Sequence, residues 1–278
     1  MGEKSTRPRV TIVVPVYNGA RTLPDTLRSI QAQTMTDWEA IVVDDGSTDL
    51  SYNIARAFGE HDPRIQAIRL LRNSGAPAAA NAGTTFASGQ YYAVLAADDY
   101  WLPEFLSTCV GILENEQMCA GVYTDFIAWH EMDGGGMKVV HRVADFDPVL
   151  LLRENYVNLS AFVSRRIFWH DQRWDPISDW DALIRVSQSG PFIRVPKLLA
   201  VRRVHGNQIT FNRHREMVLK SFLLAFRYSP RNGLWRIGQA LSWPVVRAIR
   251  QDTFARPEPS EPECGHCGNP CCFNCGGD

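Results

Sequence analysis

The fold is decided by the stretch Val10-Thr11-Ile12-Val13-Val14-Pro15-Val16, a run of apolar and β-branched residues that ends before Asn18-Gly19. An apolar run without alternation predicts a strand that is buried on both faces of a sheet. Similar runs follow at 39–44, 65–71 and 91–96, with helical patterns after Thr22 and at 51–59, 76–87 and 103–116. Because strands alternate with helices, the sequence predicts an α/β fold with a mostly parallel sheet.

The pattern changes after residue 119. Two strand-like runs, 120–126 and 137–143, flank the flexible turn Asp133-Gly134-Gly135-Gly136 and predict a small antiparallel hairpin. Further predicted elements are a strand at 160–163, a helix at 179–189, a strand at 192–201 and a helix at 213–226. Since Pro196 lies inside the strand at 192–201 and cannot donate a backbone hydrogen bond, that strand is expected at a sheet edge.

The composition is that of a globular protein. The chain has 278 residues, of which 45% are hydrophobic and 21% charged, and this excludes disordered, collagenous and coiled-coil classes. Its net charge of -1 gives no sign of a nucleic-acid partner. Residues 1–8 lack the apolar region of a signal peptide, and no apolar run is long enough to span a membrane. A cytoplasmic location is therefore expected.

Positive charge is concentrated near the C-terminus. Residues 202–256 hold eleven lysines and arginines against two acidic residues. Within this segment, residues 231–250 interleave arginines with apolar residues that include Trp235 and Trp243. Such a pattern is typical of a peripheral contact with an anionic membrane surface, at the inner face of the membrane. The alternative is a C-terminal helix packed on the body, with arginine stems covering apolar surface.

Polar residues follow three of the predicted strands. Tyr17-Asn18 follows the first strand, Asp44-Asp45 closes the second, and Asp98-Asp99 follows the fourth. In a parallel sheet the ligand binds beyond the carboxyl ends of the strands. Adjacent carboxylates repel each other, and a divalent cation offsets that repulsion. The alternative for Asp98-Asp99 is a pair of solvated aspartates before a helix, where negative charge is also favoured.

Four motifs, taken together and in this order, resemble those of the family 2 glycosyltransferases. They are Val13-Val14-Pro15-Val16-Tyr17-Asn18, Val42-Val43-Asp44-Asp45-Gly46-Ser47-Thr48-Asp49, Asn73-Ser74-Gly75 with Asn81-Ala82-Gly83, and Asp98-Asp99-Tyr100-Trp101. The resemblance covers about residues 9–210. It implies a GT-A-like, Rossmann-type, mostly parallel sheet with flanking helices and a small antiparallel excursion, here followed by a C-terminal helical segment. It also implies that the protein is an enzyme that uses nucleoside-diphosphate sugars.

The resemblance also implies residues that bind the donor. Pro15, Tyr17 and Asn18 would lie at the nucleotide, and Asp45 would hydrogen-bond the base. Asp98 would contact the ribose or coordinate the metal ion. The segment Arg202-Arg203-Val204-His205-Gly206-Asn207-Gln208 resembles a closing basic segment near the diphosphate and the acceptor, where Arg203 would contact the diphosphate.

A metal ion and a catalytic base complete the implied site. Asp99 looks like the ligand of Mg²⁺ or Mn²⁺, with His205 as a second contact. Asp179, in Ser178-Asp179-Trp180-Asp181, corresponds to the base. Inverting transfer needs one carboxylate to take the proton of the acceptor hydroxyl as it attacks opposite the leaving group. The departing diphosphate needs positive charge, which a cation with Arg or His supplies.

Three positions depart from the family pattern. Ala80 stands where the family commonly has arginine, and Ala96 and Ser178 stand where it often has acidic residues. The function implied is an inverting glycosyltransferase that moves a sugar to a hydroxyl of a glycan or lipid-linked acceptor, in polysaccharide, glycolipid or other cell-surface glycan assembly. Two alternatives remain: transfer to a polyprenyl phosphate, and a non-catalytic nucleotide-sugar-binding scaffold.

The last segment of the sequence is rich in cysteine. Two C-x-x-C pairs have the spacing of zinc ligands, Cys264 with Cys267 and Cys272 with Cys275. An iron–sulfur centre and a reduced tail without a metal are the alternatives. The predicted organisation is a glycosyltransferase domain at 1–215, a basic helical segment at 216–256, and a Pro/Glu linker with a Cys-rich tail at 257–278.

Overall fold

The structure, a computed structural model, describes residues 7–132, 135–205 and 213–228. Within these residues, nine strands form one sheet with helices against it. Along the main path of the sheet the strands follow in the order Ile65–Arg69, Trp38–Asp44, Val10–Val16, Tyr91–Val94, Phe162–Ser164, Gly121–Met132, Phe192–Val204 and Tyr100–Trp101, and the strand Gly135–His141 pairs with Gly121–Met132.

The first half of the sheet is parallel. Its strands are β1 (Val10–Val16), β2 (Trp38–Asp44), β3 (Ile65–Arg69) and β4 (Tyr91–Val94), connected by helices α1 (Leu23–Gln31), α2 (Ser51–His61) and α3 (Ala76–Thr84). Neighbouring residues of β2 pack into different apolar clusters, with Val42 in the main core and Ile41 and Val43 against Ala79 of α3. Burial on both faces explains the unbroken apolar runs of the sequence.

The second half of the sheet is mixed. It contains β5 (Tyr100–Trp101), α4 (Phe105–Asn115), β6 (Gly121–Met132), β7 (Gly135–His141), α5 (Pro148–Arg153), β8 (Phe162–Ser164), α6 (Ser178–Ser187), β9 (Phe192–Val204) and α7 (His214–Tyr228). β6 and β7 pair antiparallel, so the predicted hairpin is confirmed. The two-residue strand β5 is not predicted by the sequence, because it is too short to show a pattern.

The expectation that the strand containing Pro196 lies at an edge is wrong. β9 lies between β6 and β5, pairing parallel with one and antiparallel with the other. The register of β9 against β6 shifts between Val195 and Leu198. Val195 pairs with Thr124, and the next pair joins Leu198 to Asp125. Pro196 falls within the irregularity, so its missing N–H breaks no regular ladder hydrogen bond.

Helix α7 packs on the domain. Its Leu224 and Ala225 are buried, and its Tyr228 hydroxyl donates to Oδ1 of Asp181 over 2.8 Å. The predicted helix at 213–226 is thus confirmed, while residues 229–256 and the predicted Cys-rich tail lie outside the described residues. No helix in the described ranges combines the length and the apolar character that crossing a bilayer demands.

Candidate active site

A cleft of about 1030 Å³ opens at the carboxyl ends of β1, β2 and β4. Most of the residues predicted from the sequence line it. They are Pro15, Tyr17, Asn18, Asp45, Asp98, Asp99, Asp179 and His205. The three positions that depart from the family pattern, Ala80, Ala96 and Ser178, line it as well. The fold therefore brings groups that are far apart in the sequence to one place.

The loop after β2 is held against the end of β1. Asn18, with a positive φ of 51°, donates its N–H to Oγ of Ser47 and accepts at Oδ1 from the N–H of Thr48, both over 2.9 Å. Gly46 has φ of 69°, and a Cβ on it would lie 2.6 Å from the carbonyl carbon of Arg72. Only glycine fits this close approach without strain, which fixes the loop that carries Asp45.

Asp45 organises a second loop of the cleft. Its two carboxylate oxygens accept the N–H groups of Ser74 and Gly75, each over 2.8 Å. Burial raises the pKa of Asp45 above its ordinary value, and the two N–H donors oppose that shift. Asp45 therefore holds the loop at Ser74 and Gly75 in place. Its contact with the nucleobase stays a prediction. The exposed ring of Tyr17 lies in the same wall.

Asp98 and Asp99 follow β4 and lie in different surroundings. Asp99 is only 5% exposed, and its Oδ1 accepts the backbone N–H of Arg203 over 3.0 Å. Burial, and next the charge of Asp98, raise the pKa of Asp99 well above its usual range. Asp98 is more accessible, and its Oδ2 lies 3.2 Å from Nε2 of His205. The two carboxylates and the imidazole thus meet at one edge of the cleft.

These groups fit a divalent cation only in part. Across 7–132, 135–205 and 213–228, no three His, Cys, Asp or Glu side chains are arranged to hold an ion by themselves. However, a buried carboxylate with a raised pKa next to a second carboxylate is the arrangement that a cation would stabilise. Mg²⁺ keeps several non-protein ligands, such as waters and phosphate oxygens, so a small set of protein ligands suits it.

The predicted zinc site belongs to a part of the chain that the structure does not describe. All four of its cysteines lie outside the described residues, namely Cys264, Cys267, Cys272 and Cys275. The cysteines within the described residues, Cys109 and Cys119, are buried and form no disulfide. Burial raises the pKa of both thiols, which disfavours the thiolate that a metal ion needs. Zinc binding by the tail therefore stays a prediction.

The guanidinium of Arg203 does not lie in the cleft wall. It pairs with Asp25 over 2.5 Å and lies 3.7 Å from Glu131. Its neighbour Arg202 lines the cleft instead. Successive side chains of a strand point to opposite faces, so only one of the two arginines of β9 can face the cleft. The structure therefore places Arg202 in the cleft wall, and the predicted contact of Arg203 with the diphosphate stays a prediction.

Asp179 enters the cleft from the first turn of α6. Its Oδ2 accepts from Nδ2 of Asn155 over 2.9 Å, which fixes the orientation of the carboxylate. Burial raises the pKa of Asp179, and hydrogen bonds from the N–H of Trp180 and from Asn155 partly oppose the shift. A raised pKa brings a carboxylate closer to the range in which it works as a general base.

Asp181, two residues further on, has a different task. It is 1% exposed and accepts from Nε of Arg185 and from the Tyr228 hydroxyl, each over 2.8 Å. The Arg185 contact lies within α6, and the Tyr228 contact joins α6 to α7. The sequence Ser178-Asp179-Trp180-Asp181 alone does not show which aspartate is structural, but the structure separates them by their surroundings.

The two aspartates are expected to affect stability in opposite directions. The folded-state pKa of Asp179 lies above its unfolded value of about 3.9, so ionisation of Asp179 disfavours folding. This penalty is present at high pH and fades as pH falls through the folded pKa. Asp179→Asn should therefore raise the free energy of unfolding at pH 7, and this gain should shrink on acidification. Asp181→Asn should lower the free energy of unfolding by about 1–3 kcal/mol, because it weakens the hydrogen bonds of a buried carboxylate. Urea unfolding at several pH values checks both, and a gain for Asp179→Asn that grows on acidification contradicts the argument.

Several residues of the cleft are not predicted by the sequence analysis. They are Asn155, Asn158, His170, Arg213 and Met217. The buried Nδ2 of Asn158 and Nε2 of His170 have no hydrogen-bond partner among the described residues. Burial, together with the charge of Arg185, lowers the pKa of His170 to about 4, so its ring is neutral at pH 7. No local sequence pattern predicts that these residues line the cleft, because long-range packing brings them there.

Comparison with known proteins places these motifs in a family. A model of the family described as glycosyl transferase family 2 matches residues 11–168. TuaG of Bacillus subtilis (strain 168), named for teichuronic acid biosynthesis, is 35% identical over 120 residues, which are 43% of this chain and 47% of TuaG. The chain spans less than half the length of the first curated relatives that it matches.

Two solved structures share the fold. S. aureus TarS (1–349), in complex with UDP, matches with a TM-score of 0.60 and 17% identity over 78% of this chain and 65% of that chain. The mannosyltransferase PcManGT of Pyrobaculum calidifontis, in complex with GDP-Man and Mn²⁺, matches with a TM-score of 0.58 and 19% identity over 92% and 78%. At this identity the likeness concerns the fold alone, and it confirms the prediction of a GT-A-like α/β domain.

Proposed function

Because the chain belongs to glycosyl transferase family 2, we propose that it transfers a sugar, with inversion, from a nucleoside-diphosphate sugar to a hydroxyl of a glycan or lipid-linked acceptor. The biological setting is the assembly of a cell-surface polysaccharide or another surface glycan on the cytoplasmic side of the membrane. One observation carries the proposal: Asp179 and the Asp98–Asp99 pair, distant in sequence, face the same cleft beyond the carboxyl ends of the strands.

The donor would occupy the side of the cleft formed by β1 and β2. The nucleotide would contact Pro15, Tyr17 and Asn18, with Asp45 and the loop that it holds closing the base pocket. Arg202, rather than Arg203, would meet the negative charge of the diphosphate. The complexes of TarS with UDP and of the mannosyltransferase with GDP-Man support a nucleotide donor.

Asp179 would act as the general base. The carboxylate takes the proton of the acceptor hydroxyl while the hydroxyl oxygen attacks the anomeric carbon opposite the leaving group. Asn155 holds the carboxylate in place by donating to its Oδ2. The raised pKa of Asp179 makes the carboxylate a stronger base than an exposed aspartate would be.

A divalent cation would be held by Asp99, with Asp98 and His205 beside it. When bound, Mg²⁺ or Mn²⁺ supplies positive charge that stabilises the departing diphosphate. Asp99 is kept in place by the N–H of Arg203, and Asp98 by its contact with His205. The Mn²⁺ complex of the mannosyltransferase supports this assignment, while a zinc ion in the cysteine tail stays a separate prediction.

Release of the nucleoside diphosphate tests the proposed function. The full chain should release it from one class among UDP-, GDP- and dTDP-sugars, more slowly with water alone than with an acceptor extract, and only when Mn²⁺ or Mg²⁺ is present. Release by the wild type and not by Asp179→Asn identifies an enzyme. If a donor binds but none turns over with any extract, the protein is a nucleotide-sugar-binding scaffold and the proposal is wrong.

A further inference from the structure

The outer face of helix α7 is apolar, with Val218, Leu219 and Leu223 exposed and Phe222 and Phe226 half-buried. At 100° per residue, Val218, Leu219, Phe222, Leu223 and Phe226 fall within an arc of about 140° on the side opposite the buried Leu224. Leu219 is 61% exposed and Leu223 53% exposed. We call these five residues the α7 outer face. A helix that is apolar on both sides is normally covered on both, so this face needs a partner.

The charges around this face are positive. Arg215 lies within the arc and is exposed, and the exposed Arg227 lies about 40° beyond its edge. Glu216, the acidic residue beside the arc, is neutralised by ion pairs to Arg213 and Lys220. The chain then continues into residues 229–256, which contain five arginines and one aspartate. An apolar strip bordered by cations is the pattern of a helix that lies in the interface of a membrane with anionic lipids.

We propose that the α7 outer face docks on an anionic lipid bilayer. A second copy of the chain fits this face poorly, because a symmetric contact would bring the exposed Arg215 and Arg227 of the two copies together, and like charges across an interface are unfavourable. An anionic bilayer satisfies both the apolar surface and the charge.

Docking here would place the cleft beside the membrane. Arg213 and Met217, at the start of the same helix, line the cleft on its inner side. An acceptor carried by a lipid in that bilayer would then reach Asp179 without leaving the membrane surface. This last step rests on the proposed function, whereas the docking itself does not.

Vesicle co-sedimentation of the full chain tests the docking. Wild-type protein should bind vesicles of phosphatidylcholine mixed with phosphatidylglycerol and bind vesicles of phosphatidylcholine alone much less. Leu219→Ser/Leu223→Ser should lower the partition coefficient about tenfold or more, since two exposed leucines no longer insert. Leu223→Ser alone should give a smaller loss. The matched control is Leu71→Ser/Met118→Ser, which removes two exposed apolar side chains outside α7 and should leave binding unchanged.

Two results would overturn the proposal. One is equal binding of the wild type and the Leu219/Leu223 variant, when thermal melting shows both to be folded. The other is a dimer of the wild type, seen by light scattering, that the variant loses, because this would assign the face to a second copy. Release of nucleoside diphosphate from a soluble donor, measured without vesicles, should be equal in the variant and the control. That assay separates failure of the docking from failure of the proposed function.

Discussion

Replacing Asp179 with asparagine is expected to lower kcat by roughly 10²–10⁴-fold, the range for loss of a general base. Asparagine keeps the shape of the side chain and can still accept the hydrogen bond of Asn155 at its Oδ1. It cannot take a proton from the acceptor. The dissociation constant of the donor should change little, because donor contacts are assigned to other residues of the cleft. Stopped-flow or coupled assays of nucleoside diphosphate release, with calorimetry of donor binding, measure the two quantities separately.

The pH dependence gives a second readout of the same assignment. Since burial raises the pKa of Asp179, kcat/KM of the wild type should begin to fall on acidification at a higher pH than an exposed aspartate would give.

Asn155→Ala should lower activity less than Asp179→Asn, because it disturbs the orientation of the base and leaves the base in place. The matched control is Asp37→Asn, an exposed aspartate outside the cleft. Full turnover by Asp179→Asn would contradict the role of Asp179.

Replacing Asp99 with asparagine is expected to lower kcat/KM about 100-fold or more and to remove the dependence of donor binding on metal. The substitution keeps an oxygen that accepts the N–H of Arg203, so the β9 segment should stay in place. It removes the buried negative charge, which a cation would otherwise balance. Because that charge is costly to bury, the variant should melt at a temperature no lower than that of the wild type.

The measurement for Asp99 is calorimetric titration with Mn²⁺ and nucleotide together. Wild-type protein should bind the nucleotide much more tightly with Mn²⁺ than with EDTA, and Asp99→Asn should bind it equally in both. Asp25→Asn is the control, since Asp25 pairs with the Arg203 side chain outside the cleft wall and leaves both carboxylates of the pair intact. Wild-type turnover that persists in EDTA would exclude the assignment of Asp99 to a metal ion.

The parallel half of the sheet could be predicted from the sequence because its strands are buried on both faces. Apolar runs such as 10–16 and 39–44 are then unbroken, and the helix between these two strands shows apolar residues at helical spacing. Once the strands are predicted, their carboxyl ends are known, and so are the positions of Asp45, Asp98 and Asp99 at these ends. The local sequence pattern is therefore enough to predict the part of the site that the strand ends form.

The second half of the site depends on register and long-range packing. Arg202 and Arg203 are neighbours of the same residue type, and only the pairing of β9 with β6 decides which one faces the cleft. The tasks of Asp179 and Asp181 are decided by Asn155 and Tyr228, which lie 24 and 47 residues away in sequence. No local pattern encodes such contacts, and for the same reason the exposed side of α7 could not be predicted from its apolar stripe.

The proposed donor site lies between β1, β2 and the Asp98–Asp99 pair, where the cleft would bind a nucleoside-diphosphate sugar. Calorimetric titration of the full chain with UDP, GDP and dTDP, each with Mn²⁺ and with EDTA, tests it most directly. One nucleotide should bind preferentially, and Mn²⁺ should strengthen its binding. Failure of all three nucleotides to bind a folded protein, with and without the metal ion, would contradict the proposed donor site.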